Sequence, residues 1–163
     1  MKTSVLITLV FGFLTTSLCA QEKIWLDSNW NVSTKENASY YRPVPQKKDN
    51  GFWIVDYYKS GKKQMEGFSF NTKLNEEKFE GLVIYYHENE AVFQKVFYEK
   101  GKPVGKFSEF YDTGEVKRMG KYEEGKRKGV WKEFYKNGKI EKKGKYKNGE
   151  KVGVWKTFYK NVD

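Results

Sequence analysis

Three kinds of residue are scarce in this chain: of its 163 residues, one is cysteine, one is histidine and three are proline. The cysteine, Cys19, lies early, so residues 21–163 contain no thiol for a disulfide or a metal site. A structural zinc site needs about four cysteine or histidine ligands, which this stretch does not have. It also contains no apolar run of the roughly 20 residues that a membrane-spanning helix needs. We therefore expect no metal, no disulfide and no transmembrane segment in residues 21–163.

The N-terminal stretch, residues 1–20, has the layout of a secretory signal peptide. Lys2 precedes an apolar run at residues 5–14, and small and polar residues lead to a junction after residue 20. We expect cleavage there and export to the periplasm or the extracellular space. Attachment of a lipid at Cys19 is the alternative. The bulky Leu18 before it does not fit the small residue that bacterial lipoprotein signals prefer.

Basic residues outnumber acidic ones by 31 to 21, and most of the excess lies late in the chain. Residues 105–163 contain 17 Lys and Arg against 9 Asp and Glu, a net charge of +8. This charge favours anionic partners such as acidic proteins, anionic lipid, lipopolysaccharide or nucleic acid, without choosing among them. Alternatively, the lysines only keep solvated strand faces and exposed edges soluble. The basic cluster that we select as a candidate site is Lys126, Arg127, Lys128, Lys142 and Lys143.

A unit of 24 residues recurs in the chain with its glycines and aromatic residues in register. Complete or truncated units begin near residues 51, 81, 105, 129 and 153, the first being the loosest copy. In the better copies a glycine is followed by Trp or Phe, by a paired Phe-Tyr and by a second glycine. This periodicity predicts a repeat protein in which each unit stacks on its neighbours.

Each unit predicts one β-hairpin. Residues 130–136 are rich in aromatic and β-branched residues, Asn137-Gly138 follows, and residues 139–147 return to Asn148-Gly149. An Asn-Gly pair between two such runs predicts a type I′ turn, because both central residues need positive φ. Turn signals recur along the chain, so successive hairpins are expected to join. The predicted fold is all-β, an elongated single-layer antiparallel meander of repeated β-hairpins.

The aromatic residues explain why a single hairpin is not expected to stand alone. Two-residue alternation places Trp131 and Tyr135 on one side of their strand, where Ile140 and Tyr146 of the returning strand are the candidates to meet them. Gly120 and Gly144 lie in the middle of returning strands, where glycine is a poor strand former. We expect these two glycines to let an aromatic ring lie against bare backbone or to permit sharp curvature.

Catalytic chemistry is not evident in the sequence. The only histidine, His87, stands at the repeat position of Tyr111 and Tyr135, which favours a structural aromatic role over that of a base. The chain has no phosphate-cradling GxxxxGK[ST] element. Its recurrent strand glutamates, with Glu109 as an example, are expected to be solvated and ion-paired. We expect no enzyme activity and no cofactor.

The pattern of glycine, Trp or Phe, Phe-Tyr, a turn glycine and then Gly-x-Tyr-x-x-Gly resembles MORN repeats in their variant form. That form is common in bacterial exported proteins and in proteins described as antitoxins. The resemblance covers residues 105–160 best and residues 81–104 with Val83, His87 and Glu90 as departures from the pattern. It implies an elongated, curved, single-layer sheet used mainly for protein contacts.

Residues 21–50 lie outside the repeats and are rich in Trp and Tyr. We expect them to form an ordered capping segment on the first hairpin, since the terminal unit of a solenoid must be covered.

The leading functional hypothesis is a non-enzymatic exported module that mediates protein–protein interaction in the bacterial envelope, through a sheet face and the last strand, residues 154–160. One alternative is a peripheral binder of anionic membrane or glycolipid surfaces, and another is an antitoxin-like partner of a toxin. Nucleic acid is not expected, because base stacking needs exposed rings, whereas the periodic rings here are needed for packing. The candidate contact residues are Trp131, Tyr135, Trp155 and Tyr159.

Overall fold

The computed structural model describes residues 23–159, and the regular structure of this part is a single twelve-stranded antiparallel sheet. The expected signal peptide and Cys19 lie outside the described residues. The strands are β1 (Ile24–Leu26), β2 (Tyr40–Arg42), β3 (Gln46–Lys48), β4 (Gly51–Tyr58), β5 (Lys63–Ser69), β6 (Phe79–Tyr86), β7 (Val92–Glu99), β8 (Lys102–Phe110), β9 (Val116–Glu123), β10 (Lys126–Phe134), β11 (Ile140–Lys147) and β12 (Glu150–Thr157).

From β4 to β12 every strand pairs with the next strand along the chain. The predicted all-β meander of hairpins is therefore confirmed. The N-terminal segment extends the sheet on the other side of β4: β2 pairs with Tyr57 and Tyr58, and β3 pairs with residues 51–53. β1 then pairs with β2. The last strand, β12, differs from the prediction by starting earlier, at Glu150.

Two kinds of turn alternate along the meander. At Asn148-Gly149 both residues have positive φ, 52° and 91°, as a type I′ turn requires. At Asn137-Gly138 only Gly138 does, with φ 78°, so the predicted type I′ turn is wrong there. Instead, the Tyr135 N–H donates to the Lys139 carbonyl at 2.9 Å, and the Gly138 N–H donates to the Tyr135 carbonyl at 2.9 Å. This is the three-residue hairpin loop in which one left-handed residue completes the turn.

The turn between β6 and β7 has this same three-residue geometry although a glutamate replaces the glycine. The His87 N–H donates to the Ala91 carbonyl at 2.8 Å, and the Glu90 N–H donates to the His87 carbonyl at 2.9 Å. Glu90 has φ 69°, in the left-handed region. Because a residue with a Cβ costs about 1–2 kcal/mol there, the departure from the motif changes the energy of the turn and not its shape.

The first glycine of each regular unit forms a β-bulge. In β10, for example, pairing with β9 jumps from Lys128 to Lys132, so that three residues face only Gly120. Two extra residues preserve the side-chain alternation while they bend the strand. The repeat thus curves without exchanging its faces. The four bulge glycines have φ between 65° and 75° and are Gly81, Gly105, Gly129 and Gly153.

One face of the sheet, which we call the inner face, carries the apolar core. Trp131 is 1% exposed, and its ring packs edge-on against the rings of Tyr122 and Tyr146, with centroids 5.3 and 5.7 Å away. This confirms the predicted meeting of Trp131 and Tyr146. The core forms two buried clusters; one contains Ile54, Met65, Phe79 and Val83, and the other contains Val96, Phe107, Trp131 and Tyr146.

Two glycines on the inner face act as seats for tryptophan rings. A Cβ placed on Gly120 would lie 2.2 Å from Cδ2 of Trp131, and a Cβ on Gly144 would lie 2.2 Å from Cδ2 of Trp155. No side chain fits at that distance. Of the two roles expected for these glycines, the structure shows an aromatic ring lying against bare backbone.

Candidate interaction surfaces

The opposite face of the sheet, the outer face, carries rows of lysines on its C-terminal strands. Lys143 of β11 lies directly opposite Lys132 of β10 on one side and Lys156 of β12 on the other. A second row crosses β8, β9 and β10 in the same way. Alternation places all these side chains on the face away from Trp131. The outer-face residues that we call the lysine face are Lys106, Lys121, Lys128, Lys132, Lys143, Lys145 and Lys156.

The lysine face is electrostatically unfavourable by itself. Like charges directly opposite each other on neighbouring strands destabilise a sheet. Neighbouring strands are about 4.8 Å apart, less than the roughly 8 Å Debye length of physiological salt, so the repulsion is not fully screened. Among the described residues, the ion pair of Lys128 with Glu123 is the only one that includes a lysine of this face.

Apolar side chains lie between the lysines. Val130 and Val152 flank Lys145 on the neighbouring strands, and Val154 is 80% exposed. Together with Lys143 and nearby lysines, the three valines line a shallow cavity of about 370 Å³ that opens to solvent. The lysine face therefore offers positive charge and exposed apolar surface at the same place.

A second distinct feature lies on the inner face at the other end of the sheet. Asp56 of β4 lies opposite Met65 of β5, whereas in two later hairpins the corresponding acid, Glu109 or Glu133, lies opposite a basic residue. The first hairpin thus lacks its own cation. Arg42, from β2 of the N-terminal segment, supplies that cation.

Arg42 binds two carboxylates in a buried position. Its Nε–H and Nη2–H donate to the carboxylate of Asp56 at 2.6 and 2.8 Å, and its Nη1–H donates to Glu77 at 2.6 Å. Arg42 is 3% exposed and Asp56 is fully buried. Burial raises the pKa of Asp56, and the hydrogen bonds and charge of Arg42 oppose this rise. A cavity of about 210 Å³ opens beside the three side chains.

A ladder of side-chain hydrogen bonds joins successive units. The hydroxyl of Tyr111 donates to the carbonyl of Phe134 at 2.7 Å, and the hydroxyl of Tyr135 donates to the carbonyl of Phe158 at 2.7 Å. His87 makes the equivalent contact, with Nε2 at 3.1 Å from a carbonyl oxygen of the next unit. Since a carbonyl only accepts, Nε2 of His87 carries the proton. The predicted structural role of His87 at a tyrosine position agrees with this contact.

A family model for the MORN repeat variant matches residues 103–124 and residues 127–148. These two segments coincide with the β8–β9 and β10–β11 hairpins. Residues 103–148 therefore carry two MORN repeats of the variant type. MORN repeats are generally protein-binding or membrane-binding modules. A comparison with curated proteins found no match to this chain.

The MORN units divide the predicted basic cluster between the two faces of the sheet. The Arg127 guanidinium lies 4.7 Å from the ring centre of Trp131, and its Nη1–H donates to the Tyr146 hydroxyl at 2.9 Å. Lys142 faces Glu133 at 3.5 Å on the same inner face. Arg127 and Lys142 therefore stabilise the inner face and are separated from the outer lysines.

The other members of the predicted cluster are exposed. Lys128 and Lys143 belong to the lysine face, and Lys126 begins β10 next to the turn. The cluster was selected by proximity along the chain. Two signals in the sequence identify the lysine face. Side chains alternate between the two faces within each strand, and the turns determine which residues of neighbouring strands lie opposite each other.

Of the four candidate aromatic contacts, the structure leaves one fully accessible. Trp131 is buried in the core and offers no contact surface. Tyr135 is half-buried in the hydrogen-bond ladder, and Trp155 is half-buried on Gly144. Tyr159 is 85% exposed.

The expectation that Glu109 is solvated is wrong. Glu109 is 3% exposed and lies 3.1 Å from Nζ of Lys117, while Nε of Arg118 donates to it at 3.1 Å. Lys117 is the extra residue of a bulge in β9, which turns two consecutive cations toward one carboxylate. The sequence carries no sign of that bulge.

Within residues 23–159, no helix is long and apolar enough to cross a bilayer. In the same part of the chain, no three His, Cys, Asp or Glu side chains converge as they would around a metal ion.

Proposed function

We propose that this protein is an exported, non-enzymatic MORN-repeat module that binds an acidic protein partner in the bacterial envelope through its lysine face. Export is proposed from the signal-peptide layout of residues 1–20. The observation that carries the binding proposal is the direct opposition of Lys132, Lys143 and Lys156 on three adjacent strands.

The opposed lysines favour a partner that supplies negative charge. In the free protein their mutual repulsion raises the energy of the sheet. A surface that places carboxylates over the rows removes this repulsion and gains attraction at short range. Complementary charge also accelerates association and excludes basic partners, while the valines between the lysines supply apolar contact area.

A second candidate function is attachment to an anionic membrane or glycolipid surface. The observation that favours it is the cavity in which Val130, Val152 and Val154 lie among lysines, because such a surface accepts an anionic head group and apolar chain together. An antitoxin-like role remains a prediction, and no structural feature described above favours it.

The test is affinity capture from a native envelope extract with the full-length sequence carrying a C-terminal tag. Three proteins are compared: the wild type, a variant with Lys132, Lys143 and Lys156 changed to Gln, and a control variant. The control changes three exposed lysines elsewhere to Gln, namely Lys47, Lys48 and Lys78. Captured proteins and lipids are identified by mass spectrometry after washes at about 0.1 M and about 1 M salt, which screen charge over about 10 Å and about 3 Å.

The proposal predicts a stoichiometric acidic protein on the wild type and the control that is lost from the lysine-face variant. Capture of anionic lipid alone, released at high salt and lost from the same variant, would support the membrane candidate instead. Equal capture by all three proteins would refute the lysine face as the binding surface.

A further inference from the structure

We propose that the cavity beside Arg42 is a binding site for a cationic amino or guanidino group, carried either by a small ligand or by a side chain of a partner. The cavity lies on the inner face, near the N-terminal end of the sheet. It is separate from the lysine face, and the inference does not depend on the proposed function.

The cavity has a local imbalance of charge. Two carboxylates, Asp56 and Glu77, share the single guanidinium of Arg42. Their side chains are fully buried and 10% exposed, respectively, so water screens the excess negative charge poorly. Among the described residues that line the cavity, Arg42 is the only cation. A second cation entering the cavity would complete the neutralisation.

Gln64 carries a hydrogen-bond acceptor that no described residue uses. The side-chain oxygen Oε1 of Gln64 is buried and has no hydrogen-bond partner among the described residues. Gln64 lines the cavity with Glu77. Buried polar atoms are normally paired, and an unpaired one costs about 1–3 kcal/mol. An ammonium or guanidinium group donates several hydrogen bonds, so a group bound at Glu77 retains donors for the Gln64 side chain.

Aromatic side chains form part of the cavity wall. Trp30, Phe79 and Tyr85 line the same cavity. Aromatic faces attract cations, most strongly when water is partly excluded, and tryptophan is the best of them. The aromatic rings can contact the apolar part of an organic cation, which a hydrated metal ion does not have. Carboxylates combined with aromatic rings therefore select an organic cation over a hydrated metal ion.

The cavity is lined by strands β4, β5 and β6 together with two segments that depart from the repeat. Trp30 comes from the N-terminal segment, and Asn75 comes from the connection between β5 and β6, which is longer than the other turns between β4 and β12. The Asn75 side chain donates to the Trp30 carbonyl at 3.2 Å and joins the two segments over the inner face. This site therefore joins the first hairpins to segments that lie outside the repeats.

The net charge of the whole chain opposes non-specific binding of cations. The protein carries a formal net charge of +10 and repels cations in general. Saturable binding of an organic cation must therefore come from a local site.

The experiment is an NMR titration of the full chain, with the Trp30 indole N–H and the Gln64 side-chain amide as reporters. The probes are n-butylammonium, as a free amine, and N-acetyl-lysine amide, as a partner side chain. Their uncharged counterparts are n-butanol and N-acetyl-norleucine amide. The variants are Glu77→Gln, which keeps an acceptor for Arg42, and the adjacent Glu76→Gln, whose side chain is 63% exposed.

We expect saturable shifts of both reporters with the charged probes and none with the uncharged ones. Binding should weaken at least tenfold in Glu77→Gln and stay unchanged in Glu76→Gln. Saturation by butylammonium alone assigns the site to a free ligand, and tighter binding of the lysine derivative assigns it to a partner side chain. Absence of shifts, or equal affinity in both variants, would overturn the proposal.

A further variant, Gln64→Leu, separates an effect on binding from an effect on folding. It removes the unpaired buried oxygen, so thermal stability should rise or stay constant while the affinity for the charged probes falls. Unchanged affinity in Gln64→Leu would contradict the role assigned to this oxygen.

Discussion

Arg42 shows how one residue of the N-terminal segment completes the first hairpin. Its contacts to Asp56 span 14 residues and supply the cation that β5 does not provide. We predict that Arg42→Met lowers the free energy of unfolding by about 3–5 kcal/mol, because it leaves two carboxylates without a buried partner. Urea denaturation measures this change. Adding Asp56→Leu to Arg42→Met should recover most of it, and a loss below about 1 kcal/mol in the single variant would contradict the buried pair.

The same cluster predicts a pH dependence. Burial raises the pKa of Asp56, so the folded protein binds its proton more tightly than the unfolded chain does. The stability from this proton is present below the ordinary aspartate pKa and is lost as pH rises through the folded pKa. As pH rises over that range, the Tm of the wild type should fall relative to the Tm of Asp56→Asn. A difference that is constant with pH would exclude the titration.

Other carboxylates act in the opposite direction, which is why the comparison with Asp56→Asn is needed. The hydrogen bond from the Asn31 backbone, with others nearby, lowers the pKa of Asp27, and Lys136 lowers the pKa of Asp112. Their contribution to stability is present above the ordinary pKa and is lost as pH falls through the folded one.

At the scale of single elements, the turn between β6 and β7 offers a simple test. Glu90 occupies a left-handed position that glycine occupies in the equivalent turns, for example at Gly114 and Gly138. We predict that Glu90→Gly stabilises the protein by about 1 kcal/mol, because glycine adopts this conformation without steric cost. Thermal unfolding measures the gain. The reverse change, Gly138→Glu, is the matched control and should destabilise by a similar amount.

The contact between an aromatic ring and the glycine beneath it predicts that substitutions at the two positions have non-additive effects on stability. In the third unit Gly120 meets Trp131, whereas one unit earlier Val96 lies opposite Phe107. Gly120→Val alone should destabilise by about 3 kcal/mol or more, since its Cβ would overlap the indole. Adding Trp131→Phe should restore part of this loss, with a coupling energy of about 0.5–3 kcal/mol in a double-mutant cycle. Strictly additive effects would show that the ring does not rest on this glycine.

Sequence reasoning worked best where one local period carries the information. The 24-residue spacing, the turn glycines and the alternation of rings predicted the hairpins and the meander, and they marked Gly120 and Gly144 as places where a ring can lie against backbone. It failed where a single inserted residue or a distant partner decides the structure. Lys117 reaches Glu109 only because of a bulge, and Arg42 meets Asp56 only through the path of the N-terminal segment.

The sequence predicted the sign of the charge on the candidate surface and the part of the chain that carries it. It did not predict which of the basic residues share one face of the sheet. Late lysines were selected as a cluster by neighbourhood along the chain, yet adjacent strand residues point to opposite faces. Arg127 therefore joins the core beside Trp131, while Lys128 remains on the surface. The cavity beside Arg42 was not predicted, because Arg42, Trp30 and Glu77 reach it from segments without a repeat pattern.

At the scale of the whole molecule, the lysine face predicts a dependence of stability on salt. Two directly opposed pairs join Lys132, Lys143 and Lys156, and each is expected to cost a few tenths of a kcal/mol up to about 1 kcal/mol at low salt. Changing the three lysines to Gln should raise Tm at low ionic strength, and added salt should reduce this gain. Scanning calorimetry at several salt concentrations measures both effects.

The matched control for this prediction is the variant with Lys47, Lys48 and Lys78 changed to Gln. These three exposed lysines do not oppose one another across neighbouring strands. Equal salt responses in the two variants would assign the effect to net charge instead of to the lysine rows.

The hydrogen-bond ladder sets a rule for how this chain can change length during evolution. Each tyrosine hydroxyl reaches a carbonyl 23 residues further on, as Tyr111 reaches Phe134 and Tyr135 reaches Phe158. A duplication or deletion of 24 residues leaves every donor of the ladder with an acceptor and keeps Trp131 and Trp155 paired with a glycine of the preceding unit. A one-residue insertion within a strand turns the following side chains to the other face. Gene changes in whole units should therefore be tolerated, and lineages should differ in the number of units more readily than in the length of one.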